Sequence, residues 1–338
     1  MAIHVVSASV PVALDPRLAL RRTLAVNRPL ALVGVGALLV LLGTLAGLAF
    51  DPRVITGAPA WLKPAKFALS IGLYSLTLLW LLGYIEGHRR LVRLIGNVIA
   101  VSFVVELTII ITQVVRGTTS HFNVTSPLND ALYATMGVFI VAAWSMSLLA
   151  ALLLLRQRLP DPAFAWALRL GLLLALIGAA EGVLMTRPSA TQQAALAAGR
   201  HVTAIGAHSV GVADGGPGLP ITGWSTVGGD LRVAHFAGLH ALQLMPLIGW
   251  FIARRKRLGC RQRVTLVWTA ELGYLGLILL LTWQALRGQA LVAPDAATLV
   301  AAAGLATVVT VASAAILLHA RLAPSHSRPD HQFGRRGV

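Results

Sequence analysis

The stretch "GGDLRVAHFAGLHALQLMPLIGW" runs from Gly228 to Trp250. From Leu231 onward it is apolar over the length that crosses a bilayer core, about 20 residues. Yet its first half carries Arg232, His235, His240 and Gln243. At roughly 100° per residue, His235, His240 and Gln243 fall within an arc of about 140°, and Arg232 joins them. Ala237, Gly238 and Ala241 lie on the other side, where small side chains admit a neighbouring helix. The two histidines point apart and do not form the i, i+4 pair that grips one metal ion. A membrane helix with such a face belongs to a bundle and turns that face toward protein or water.

The rest of the chain agrees. Its 338 residues are 57% hydrophobic and 12% charged, about half the charged fraction of a soluble domain. Mean hydropathy is +0.76. Eight apolar runs read as spans: Pro29–Phe50, Leu62–Ile85, Leu91–Val115, Ala131–Leu155, Ala163–Met185, Leu231–Ala253, Val264–Leu286 and Ala296–Ala320. The expected fold class is an all-α integral membrane protein. Its parts are a segment 1–28, a first four-helix unit 29–155, a second unit 156–320 with a large loop 186–230, and a tail 321–338.

The net charge of +16 is a matter of topology. Most Lys and Arg fall in alternate connections: Arg17 to Arg28, Arg89 to Arg93, Arg156 to Arg169, the run Arg254 to Arg263, and the tail. By the positive-inside rule these segments are cytoplasmic, as are both termini. The expected location is the bacterial cytoplasmic (inner) membrane. The expected partners are the lipid bilayer and a small-molecule ligand on the outer side; nucleic acid is not among them. The start "MAIHVVSASVPVALDPR" has no basic-then-apolar signal-peptide pattern, so the first span reads as retained. The single cysteine, Cys260, cannot form an intrachain disulfide and reads as an ordinary thiol in a basic loop.

The loop 186–230 opens with Ser189 and Gln192 in capping-box spacing and Gly199 as a helix stop, then turns Gly/Pro-rich and irregular. Such a loop reads either as a lid or as a passive excursion. Asn123-Val124-Thr125 matches a glycosylation sequon, which carries no weight in a bacterial chain.

The two halves resemble each other. "LKPAKFA" (Leu62–Ala68) aligns with "LRVAHFA" (Leu231–Ala237) at an offset of half the chain. "ITG" precedes both, at Ile55–Gly57 and Ile221–Gly223. The third and seventh spans end "QVVRG" (Gln113–Gly117) and "QALRG" (Gln284–Gly288), and the first and fifth share G-x-x-x-G at Gly43/Gly47 and Gly178/Gly182. These matches point to two parallel four-helix repeats related by a pseudo-twofold axis along the membrane normal.

Polar groups recur in one layer. Lys63, Lys66, Ser70, Tyr74 and Thr77 share a face about 80° wide on the second span. The third span aligns Ser102, Glu106, Gln113 and Arg116, the fifth carries Glu181, and the seventh carries Glu271, Tyr274 and Thr282. Lys66 and His235 lie ~6 Å into their helices and His240 ~13 Å. An unpaired charge in the membrane costs at least ~3 kcal/mol on insertion scales. Lys63, Lys66, Glu106, Gln113, Arg116, His121, Glu181, Arg232 and Gln243, with His235 and His240, are therefore expected around an outward-facing pocket between the repeats. Each has a plainer reading: the basic groups snorkel to headgroups, the glutamates act as structural glue, the histidines bond neighbouring helices, and Glu271 bonds Tyr274 or a neighbour.

No P-loop, H-E-x-x-H, cysteine cluster, serine-nucleophile motif or dinucleotide fingerprint is present. With histidine near the outer end of a membrane helix, the eight-helix, twice-four layout resembles haem A synthase. In that family histidines near the outer ends of the even-numbered helices ligate haem or handle its substrate. The resemblance implies haem b held by His235 or His240. It covers the layout alone: the second span has Lys66 at that place, the fourth and eighth lack an outer histidine, and a second ligand would come from His121, His201 or His208. The phrases "HSVGVADGGPGLP" and "WSTVGGDLRVAHFAGLHALQ" also look like those of uncharacterised bacterial membrane proteins. Three alternatives stay open: a transporter or binder of a small anion through Lys63, Lys66, Arg116 and Arg232; an intramembrane enzyme pairing His240 with Glu106 or Glu181; and a scaffold or sensor.

Overall fold

The computed structural model describes Arg21 and residues 24–322. Most of the expected segment 1–28 and of the tail 321–338 lies outside the described residues. Eight helices are long and apolar enough to cross a membrane. In chain order the helices are α1 (Arg28–Phe50), α2 (Leu62–Leu82), α3 (Arg89–Val115), α4 (Pro127–Arg156), α5 (Pro162–Ala180), the short α6 (Gly182–Met185) and α7 (Ala190–Ala197), α8 (Leu231–Ala253), α9 (Cys260–Leu286) and α10 (Ala296–Leu322). By length and composition the chain is a polytopic membrane protein.

Capping chemistry places the helix starts. Asn27, Ser126 and Asp161 each accept a backbone N–H of the first turn, and each helix has proline in that turn. The fourth span accordingly begins at Pro127, not Ala131, and the seventh begins at Cys260, not Val264. Ser189 and Gln192 form the expected capping box, and Gly199 adopts φ 66° just past α7.

Within the first half α1 packs on α2 and α3, and α3 packs on α2 and α4. Within the second, α5 packs on α8 and α9, and α9 packs on α8 and α10. The halves meet where α4 touches α5 and, slightly, where α2 touches α8. The main core gathers Leu30, Leu78, Leu79, Ile95, Ile99, Leu154, Leu168, Leu172 and Leu242, all fully buried. The flanking α10 buries only Thr298 and exposes Val300, Val308 and Val311, a surface suited to hydrocarbon.

The expected fifth span is interrupted. α5 stops at Ala180, Glu181 is a turn, and α6 follows. The break sits beside a very close helix crossing. A Cβ on Gly178 would lie 2.4 Å from the Gly238 backbone, and one on Gly238 would lie 2.3 Å from the Gly178 Cα. In the first half the close approach is made by Gly72, whose added Cβ would meet the Gly34 carbonyl at 3.3 Å. Gly43 borders open space and Gly47 lies against the Trp61 ring, so the shared G-x-x-x-G spacing does not mark equivalent contacts.

The Q-x-x-R-G segments do build the same corner twice. Gln113 Nε2 donates to the Thr119 carbonyl and Gln284 Nε2 to the Ala290 carbonyl, each six residues on. Gly117 and Gly288 take φ of 75° and 71°, where glycine has no steric penalty. Arg116 then reaches Asn129 at the start of α4, and Arg287 reaches Asp295 and Thr298 at the start of α10.

Large side chains forced into a tight crossing cost about 1–3 kcal/mol or more. Gly178→Ala and Gly238→Ala are therefore expected to lower the melting temperature of the purified protein. Gly36→Ala, where an added Cβ meets nothing within 4 Å, does not lower it. Equal melting curves for all three would mean that the crossing is not a tight contact.

Candidate functional site

α3, α5 and α9 end, and α2, α4, α8 and α10 begin, at one end of the bundle, which also carries the loops 116–126 and 186–230. The long loop is an ordered cover. Gln192 bonds both backbone groups of Gly206, Ala207 N–H donates to the Met185 carbonyl, and Ile205 N–H to the Phe122 carbonyl. Ser209–Val210 (β3) pairs antiparallel with Gly229–Asp230 (β4), so the Gly/Pro-rich stretch is less irregular than its composition implies. A second small ladder, Val54–Ile55 (β1) with Ala58–Pro59 (β2), turns through Thr56 and Gly57. A Cβ on Gly57 would meet the Gly215 carbonyl at 2.0 Å, so the cover rests directly on the first half.

Asp214 locks the cover. Its carboxylate accepts the His208 and Ser209 backbone N–H groups and His208 Nδ1–H, the last at 2.7 Å. Burial pushes Asp214 up, but the His208 ring bond and the two backbone N–H groups outweigh it and hold the group well below the usual carboxylate range. Burial lowers His208, and the Asp214 bond opposes that shift in part. Because a carboxylate only accepts, the proton of neutral His208 sits on Nδ1, and Nε2 keeps its lone pair.

His235 is tied in the same way. Its Nδ1 lies 2.7 Å from the Gly178 carbonyl, next to the break in α5. A carbonyl cannot donate, so Nδ1 carries the proton and Nε2 is again free. His121 completes the group. Its Nδ1 bonds Ser120 Oγ at 3.0 Å and its Nε2 stands 3.6 Å from Glu106 Oε1. Burial holds His121 well below the usual imidazole range, and Lys63, His208 and His235 are near enough to push the same way. Lys63 also lies within charge range of Glu106. His121 is packed among Phe67, Phe122 and Tyr133, and Phe122 also faces His208. The His121 and His208 side chains still keep 21% and 22% exposure. Both rings are thus packed against aromatic neighbours and still retain part of their surface.

Of the residues expected together, Lys63, Glu106, His121 and His235 converge. Lys66 and Arg232 hold the cover: Lys66 Nζ donates to the Thr222 carbonyl at 2.9 Å, and Arg232 donates to the Gly223 carbonyl and pairs with Asp230. Neither is a free rim charge. Gln113 and Arg116 belong to the α3–α4 corner with Asn129. Glu181 accepts from Thr282 Oγ1 at 3.0 Å. His240 Nδ1 bonds Gln243 Oε1, its ring packs at a tilt against Phe236, and Gln243 donates to Thr77 Oγ1; that relay lies deeper along α8. Tyr274 donates to the Ala237 carbonyl, not to Glu271, and both Glu271 oxygens are buried without a partner among the described residues. His201 stays exposed in the long loop. Asn123 is buried, with its amide donating to Thr118 and Thr119, and is therefore unfit for glycosylation.

The His208–Asp214 lock was missed as a pair. "HSVGVAD" carries little signal for it, because no local turn type joins an aspartate to a ring and backbone groups five and six residues upstream. Among the described residues no group of three or more His, Cys, Asp or Glu could hold a bare metal ion. Comparison with known proteins finds no matching family model, no matching curated protein and no matching solved structure.

Because Asp214 is depressed in the folded chain, its contribution is present above the unfolded value, about 3.9, and is lost as pH falls through the lower folded value. The cover should stay closed from neutral pH down to mildly acid conditions. Asp214→Asn should open it at every pH, read as faster hydrogen exchange of residues 206–215. Wild-type exchange rates in the variant would show that Asp214 does not lock the loop.

Proposed function

We propose that this chain is a multi-pass protein of the bacterial cytoplasmic membrane that holds a redox cofactor, haem b, beneath its outer cover. His235 would hold it together with His208 or His121. The supporting observation is the pair of fixed histidines. His235 and His208 come from a helix and a loop, each with Nδ1–H tied to an oxygen and Nε2 left free. That tethering orients metal-ligating imidazoles. The two rings would be the chain's nitrogen ligands to such a group. Bound haem would supply one-electron chemistry. The chain's own part would be to hold the two rings, exclude bulk water with loop 186–230, and place the Lys63 ammonium where it can balance the charge of the cofactor's carboxylates.

The test is the visible absorption of the detergent-purified protein, before and after dithionite. A Soret band that moves on reduction, and is lost in His235→Ala but kept in His240→Ala, is the expected result. A flat spectrum after haem supplementation of well-folded protein would reject the reading. It would favour the second one, a small-anion site on Lys63, whose ammonium has no hydrogen-bond partner among the described residues.

The orientation follows from the basic connections, which gather opposite the cover. The recurrence of the same helix neighbours and of the same Q-x-x-R-G corner in each half supports the two parallel repeats. Cys260 is the only cysteine and is exposed in the basic connection. In intact cells it should resist a membrane-impermeant maleimide and react after permeabilisation. Labelling of intact cells would invert the topology.

A further inference from the structure

Away from the histidine site, a cavity of about 400 Å³ lies at the seam of the two halves. Thr77 and Trp80 of α2, Phe164 of α5, and Leu242, Gln243, Pro246, Leu247 and Trp250 of α8 line it. Gln243 sits about 18 Å along α8 from Leu231 at 1.5 Å per residue, so the cavity occupies the half of the bundle remote from the cover. Leu247 at its rim is 50% exposed on the apolar flank of the bundle. The mouth therefore opens sideways to lipid.

The lining has two distinct parts. The walls are aromatic: Trp80, Phe164 and Trp250. The floor is polar. Gln243 Nε2 donates to Thr77 Oγ1 at 3.2 Å, and Thr77 Oγ1 donates to the Leu73 carbonyl at 2.7 Å. One N–H of the Gln243 amide is left over. Pro246 lies inside α8 and has no N–H to give the Leu242 carbonyl, the bond an ordinary residue would make there. Leu242 is itself fully buried, so the polar group offered to the open aromatic groove is the Gln243 amide N–H.

We propose that this slot binds the ring of a lipid-soluble quinone or quinol, with its prenyl tail leaving past Leu247 into the bilayer. A flat ring suits walls of Trp80, Phe164 and Trp250. A quinone carbonyl oxygen accepts from the Gln243 amide. A plain acyl chain accepts nothing and would set that N–H against hydrocarbon. The site stands on its own geometry and does not depend on haem at the histidine cluster.

The test is photolabelling of the full chain in nanodiscs with an azido-ubiquinone analogue, with unlabelled decylubiquinone as competitor and adducts mapped by mass spectrometry. Saturable adducts on the segments around 77–80 and 242–250 are expected. Gln243→Leu should weaken competition about tenfold, the loss of one good hydrogen bond. Leu247→Trp fills the mouth from an exposed position and should abolish labelling without disturbing the core. Thr135→Ala, half-buried on α4 away from the groove, should label as wild type. The proposal is overturned by adducts spread over lipid-facing α10, or by labelling unchanged in both Gln243→Leu and Leu247→Trp. Equal competition by a saturated phospholipid would also overturn it, by identifying the occupant as an acyl chain.

Discussion

The crossing of α5 and α8 at Gly178 and Gly238 is the constraint from which the functional end is built. Two backbones this close leave no room for a side chain on either residue. In the same place α5 gives way to a turn at Glu181, and the Gly178 carbonyl, near that broken end, receives the His235 ring. Inside a membrane each polar backbone group must find a partner within the protein. Here the need of a helix end and the orientation of an imidazole are met by one bond. Without glycine at both positions α8 would stand farther off, and His235 would lose the acceptor that fixes its tautomer.

The fold was legible because a bilayer admits few solutions. Apolar length alone located the eight helices, and the capping residues corrected their first turns. The polar layer was legible in kind but not in its partition. Wheel geometry put Lys66, Arg232, Gln113 and Arg116 near Lys63 and Glu106, and depth agreed. Whether a side chain faces a cavity or a loop carbonyl depends on the path of the loop. Thr222 and Gly223 take Lys66 and Arg232 out of the site, and no periodicity encodes that. The same limit hid the His208–Asp214 pair, which exists only because a Gly-rich loop folds back on itself.

The Q-x-x-R-G corners show which repeats in sequence carry structure. A buried glutamine closing on a carbonyl six residues on, a left-handed glycine and an arginine crossing to the next helix recur in both corners, the arginines with different partners. G-x-x-x-G recurs in sequence without the same contacts. A motif whose members bond one another survives as a unit. Spaced small residues record only that some neighbour is near, and that neighbour changes between the halves.

The cover has a mechanical consequence. Lys66 on α2 and Arg232 on α8 grip adjacent carbonyls of one loop, at Thr222 and Gly223, while α2 and α8 themselves touch only slightly. The loop is a strap buckled to both halves above the core they share at Leu154, Leu168 and Leu172. Any separation of α2 from α8 must pull the Lys66 buckle open or drag the strap along, so strap and seam resist the same movement.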